Sequence, residues 1–104
     1  MNIRDYGHYM ELYHSSEEMA RGMDIMQEVF EGIGVFVHEG LIDIRLVARE
    51  MGGYMPRWRR WYGTFLLQRR EEFQFPRFKI ETEYLYNRLI DFSRRHPEFQ
   101  IPLE

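Results

Sequence analysis

The sequence predicts an all-α fold, a small bundle of four to five helices forming a single domain over residues 1–104. Three observations carry this. Apolar residues recur at intervals of three and four, the spacing that lines one side of a helix. Gly and Pro fall at a few sharp points, Gly40, Gly52-Gly53, Pro76 and Pro97. No segment alternates apolar and polar residues between hairpin turn signals, so strands are not expected.

Tyr6, Tyr9, Met10 and Tyr13 sit at helical spacing and predict a short helix near Asp5–Tyr13. The pair Ser15-Ser16 is the expected N-cap of the next helix, and Ser15 and Glu18 have capping-box spacing, in which each side chain satisfies the other's backbone N–H. From Met19 through Met23, Met26, Phe30, Ile33 and Val37, one apolar stripe predicts a helix from Ser16 to His38, closed by Gly40. Gly32 and Gly34 inside it cost roughly 1 kcal/mol each against Ala, which close approach of a neighbouring helix would explain.

Asp43 is the expected N-cap of a helix over Ile44–Met51 with Leu46, Val47 and Met51 inward, stopped by Gly52-Gly53. Pro56 suits the first turn of the next helix, which is expected over residues 56–73 with Trp58, Trp61, Tyr62, Phe65, Leu66 and Phe73 as its apolar face. Arg59, Arg60 and Arg70 fall on its other side. Arg69 falls on the apolar face, where burial demands a carboxylate or carbonyl partner. Gln74-Phe75-Pro76 breaks this helix, and the last one runs from Arg77 to Arg95, ending at His96-Pro97 before a short tail. Phe78, Leu85, Leu89 and Phe92 make its stripe, while Ile80, Tyr84, Tyr86 and Ile90 are apolar on other sides. The expected core is Met26, Phe30, Ile33, Val37, Leu46, Val47, Trp58, Trp61, Phe65, Leu85, Leu89 and Phe92.

Composition limits the function classes. With 44% hydrophobic and 16% aromatic residues the chain is too apolar to be disordered. The absence of cysteine excludes disulfides, thiolate zinc sites and cysteine nucleophiles. No apolar run approaches the roughly 20 residues of a membrane span, so no membrane insertion and a cytoplasmic location are expected. The net charge of −3 divides unevenly: residues 1–52 carry −6 and residues 53–104 carry +3. Residues 57–70 hold five Arg and no acid, and all basic residues but Lys79 are Arg. Arg stacks on rings as well as pairing with carboxylates, so with seventeen aromatics Arg–aromatic stacking is expected inside the fold.

Motifs for chemistry are sparse. Glu11 and His14 form a single Glu-x-x-His, but a helical di-iron site needs a second copy and further carboxylates. His38 and His96 stand at predicted helix C-termini, where an imidazolium suits the macrodipole. No phosphate-binding glycine loop or nucleophile elbow occurs. No catalytic residue, metal or cofactor is therefore expected, and the protein is not expected to be an enzyme. In Arg57-Trp58-Arg59-Arg60-Trp61, interleaved rings and cations could bind nucleic acid by stacking and phosphate contact, although helical spacing turns both Trp toward the core.

The stretch from Phe30-Glu31-Gly32-Ile33-Gly34 through Gly40-Leu41-Ile42-Asp43 to Val47 and Met51-Gly52 resembles a domain-of-unknown-function family of small helical microbial and viral proteins. Trp58 to Tyr62 and Glu83-Tyr84-Leu85 extend the resemblance over residues 26–92. It implies an all-helical fold and no reaction. Val47-Ala48-Arg49-Glu50-Met51-Gly52 with Trp58 and Trp61 is also similar to a helix-turn-helix, with the Arg-rich helix second.

The expected function is a non-catalytic protein–protein interaction or assembly module. A homodimer is expected, with the last helix or the Tyr-rich N-terminal segment in the interface, because the last helix has apolar residues on too many sides for an edge position. The alternative is a nucleic-acid-binding regulator that uses Arg57, Arg59, Arg60 and Arg70.

Overall fold

Asp5 opens the first helix by accepting the His8 amide on its side chain at 2.8 Å, and α1 follows over Tyr6–Tyr13. The computed structural model describes residues 4–56, 59 and 65–103. Trp58, Trp61, Tyr62, Arg57 and Arg60 lie outside the described residues, and so do the core and binding expectations placed on them. The described residues form an all-α protein without strands.

The long helix α2 spans Glu17–His38. Its N-cap is Ser16, whose hydroxyl accepts the Met19 amide at 3.0 Å. Ser16 thus caps from the expected Ser15-Ser16 pair, while Ser15, which had the capping-box spacing to Glu18, donates its hydroxyl to the Leu12 carbonyl at 2.6 Å and so closes α1. Gly40, at φ +77°, turns the chain after α2. Asp43 caps α3, Ile44–Met51, by accepting the Arg45 amide at 2.8 Å. A short 3-10 turn over Gly52–Tyr54 then leads to helical Met55 and Pro56. Phe65 and Leu66 form a wide π turn that passes into α4, Leu67–Phe73, and left-handed Gln74 ends that helix.

The last helix, α5, spans Ile80–Arg95. It starts three residues later than expected because residues 76–79 form turns and Lys79 is left-handed at φ +53°. Lys79 contributes no side-chain cap. Glu31 of α2 does this work from another helix, accepting the amides of Thr82 at 2.8 Å and Glu81 at 3.3 Å. A carboxylate is favoured there by the exposed N–H groups and the helix dipole.

Two apolar clusters hold the fold. The first joins Val37 of α2, Ile44, Val47 and Ala48 of α3, Met55, and Leu85, Tyr86, Leu89 and Phe92 of α5. Phe99, Ile101 and Leu103 of the tail pack against it. The second joins Tyr9, Met23, Phe65 and Leu66, with Tyr6, Met10, Tyr13 and Phe78 around them. α5 is thus central, and its apolar surplus is covered within the chain by α2, α3 and the tail. Tyr86 is buried, and Ile80, Tyr84 and Ile90 are half-buried. The crowding on α5 is therefore no reason for a second copy to pack on it.

Two expected core residues face outward. Met26 is 47% and Leu46 52% exposed. On α2 the buried line is Met23, Gln27, Gly34 and Val37, which includes an amide and a glycine and turns Met26 to the rim. On α3 the buried set is Ile44, Val47 and Ala48, on the side opposite Leu46.

Candidate functional site

α2 has two unlike faces. Its inner face is fastened to the start of α5 along its C-terminal half. Lys79 pairs with Glu28, Glu31 caps α5, and His38 Nδ1 lies 2.9 Å from Glu81 Oε2 while its ring stacks on Tyr84 at 4.0 Å. Gly34 sits against the α5 backbone, so close that a Cβ there would stand 2.1 Å from the Glu81 carbonyl oxygen. α1 covers the other half of this face through Tyr9 and Gln27.

Among the described residues nothing covers the outer face in this way. Gly22, Ile25, Val29, Gly32 and Phe36 recur at intervals of three and four and lie within about 80° of one another on a 3.6-residue turn. Ile25 is 56%, Val29 51% and Phe36 46% exposed, and Met26 widens the row. A Cβ on Gly22 or Gly32 would meet nothing within 4 Å. This is a row of large apolar side chains interrupted by two backbone-level gaps. Acids border it, among them Glu17, Glu28 and Glu39, with Arg21 on the same edge. The periodicity of 22, 25, 29, 32 and 36 was visible in the sequence beside the 19-to-37 stripe; only packing shows which of the two faces inward.

Arg69 has the partners its burial requires. Its guanidinium lies over Tyr13, Phe65 and Phe73, at 5.6, 5.5 and 5.1 Å from the ring centroids, with Glu72 Oε2 3.6 Å away. Three rings and one carboxylate thus hold a cation whose side chain is only 13% exposed. Tyr9 and Tyr6 lie beside it. Burial raises the pKa of both phenols above the ordinary range, and Arg69 acts in the opposite direction.

Of the four Arg residues proposed for nucleic acid, Arg57 and Arg60 lie outside the described residues. Arg59 is helical and exposed. Arg70 is turned inward instead of to solvent: its Nε donates to the Phe78 carbonyl at 2.9 Å and its Nη1 to Glu83 at 2.8 Å. It joins α4 to α5, and its buried Nη2 has no partner among the described residues. Glu11 and His14 are both exposed, and among the described residues no three His, Asp or Glu converge as metal ligands would. No described helix is long and apolar enough to cross a membrane.

Comparison with family models, curated proteins and solved structures found no match. The family resemblance over residues 26–92 accordingly rests on the residues quoted for it.

Proposed function

We propose that this is a non-catalytic protein–protein interaction module of the cytoplasm, which presents the outer face of α2 to its partner. One observation carries the reading. Ile25, Met26, Val29 and Phe36 stand about half exposed along one side of a helix whose opposite face is pinned at several points. Single exposed apolar residues are ordinary on protein surfaces, but several aligned on one helix face mark interaction sites. The acidic border supports a protein partner over nucleic acid or an anionic lipid surface, both of which it would repel.

A photo-crosslinking residue tests this reading. Placed at position 29 in the producing cell, it should give protein adducts, while the same residue at position 71, exposed on α4, gives none. No adduct at position 29, or equal adducts at both, would overturn it.

A further inference from the structure

We infer that the occupant of this face is a second copy of the same chain, lying antiparallel with α2 against α2 across a two-fold axis beside Val29. The inference rests on the interaction reading above and adds the partner and its orientation.

The shape of the face fits this pairing. Gly22 and Phe36 stand seven residues from Val29 in opposite directions, both near the centre of the row. An antiparallel pairing centred on Val29 therefore sets each Phe36 over Gly22 of the other copy. Ile25 likewise meets Gly32, four residues before the centre against three after it. Each large side chain enters a gap that is open in the single chain, since a Cβ on either glycine would touch nothing within 4 Å. Helix pairs pack when side chains of one fill depressions of the other. A parallel pairing would set Phe36 against Phe36 and glycine against glycine, leaving both collisions and voids.

The charges along the row fit it too. Arg21 and Glu39 lie on the same edge of the row, both about 80° from Val29 on the helical wheel. They stand eight residues before it and ten after it. Antiparallel pairing brings Arg21 of each copy to Glu39 of the other; parallel pairing would set them at opposite ends and on opposite edges of the seam, where they could not pair. Both residues are exposed. Glu28, the acid nearest the axis, is already paired with Lys79. Opposed helix dipoles also favour the antiparallel arrangement.

The contact is modest. At 1.5 Å per residue, α2 is about 33 Å long, and one helix against another buries less than the roughly 800 Å2 per partner of a standard interface. A micromolar dissociation constant is expected.

Sedimentation equilibrium between about 1 and 300 μM brackets that range. The mass should climb from 12.9 kDa toward twice that value, and Val29→Glu, which opposes two carboxylates at the axis, should weaken association at least tenfold. Because the chain has no cysteine, single-cysteine variants report orientation. A short bis-maleimide should join Arg21→Cys to Glu39→Cys in a mixture and join neither to itself. A monomer throughout, a Val29→Glu variant that associates normally, or self-joining of each variant would each overturn the inference. Monomeric behaviour combined with position-29 adducts to a different protein would reject the second copy and keep the interaction reading.

Discussion

Gly34 of α2 and Glu81 of α5 touch backbone to backbone: a Cβ on the glycine would stand 2.1 Å from the Glu81 carbonyl oxygen and 2.6 Å from its carbon. No rotation of a side chain relieves a clash with main chain. Gly34→Ala must therefore push α5 away from α2, and is expected to cost about 2 kcal/mol or more. Gly32→Ala, two residues away in open space, should instead stabilise the monomer by about 0.5–1 kcal/mol through helix propensity. Urea unfolding of both variants below 1 μM checks the contrast, and equal effects would mean the α2–α5 packing is misassigned.

Arg69 should be worth more than an ordinary surface cation. Its guanidinium is shared by three rings and Glu72. Arg69→Ala is expected to cost about 2 kcal/mol, from lost cation–ring attraction and lost packing of its stem. Arg69→Lys should recover only part of this, because an ammonium lacks the planar faces that lie on the rings. Urea unfolding midpoints of the two variants provide the measurement.

Alkaline pH should unfold the N-terminal half first. Burial raises the Tyr9 phenol well above its ordinary range, and Tyr6 moves the same way by burial and its bond to Glu72. Hydrogen bonding to Asp24 raises Tyr13. The neutral phenols are favoured in the folded chain, so this stability is complete below the unfolded pKa of about 10. It is lost as pH rises past that value, where the unfolded chain ionises first. Tyr9→Phe should flatten that alkaline decline. At neutral pH it should cost about 1–2 kcal/mol, because buried Gln27 loses the hydroxyl that accepts from its Nε2. Thermal unfolding between pH 7 and 11 followed by circular dichroism tests both.

Nucleic acid should not bind with the salt sensitivity of a phosphate-contacting surface, given that Arg70 is tied to Glu83 and Phe78. Mobility shift at two salt concentrations measures this. Salt-sensitive retention that disappears when Arg57, Arg59 and Arg60 become Ala would favour the regulator instead.

Helix positions were legible in the sequence because their boundaries are local chemistry. Asp43, Gly40, Gln74-Phe75-Pro76 and His96-Pro97 act where they stand, and each marks an observed helix end. Of the serine pair only Ser16 caps α2, because adjacent serines compete, and the start of α5 was displaced because its cap comes from Glu31, fifty residues away in sequence from Glu81. Facing was less legible. α2 is apolar on both sides, so its pattern fits two stripes equally well. Its inward line contains Gln27 and Gly34, which hydrophobicity alone places outside. Hydrophobicity alone for the same reason places Met26 in the core, although it is 47% exposed. Arg69 was recognisable as a cation needing partners, but Tyr13 and Phe65 lie far from it in sequence or on another turn, and only the fold brings them over it.

The central claim is that the outer face of α2 serves binding and contributes little to folding. Urea unfolding of the Ile25→Lys/Val29→Lys double variant at about 1 μM tests it most directly. Both side chains are more than half exposed, so the stability should stay within about 0.5 kcal/mol of the parent chain. A loss of about 2 kcal/mol or more, the scale of a buried apolar position, would contradict the claim and place these residues in the folded core.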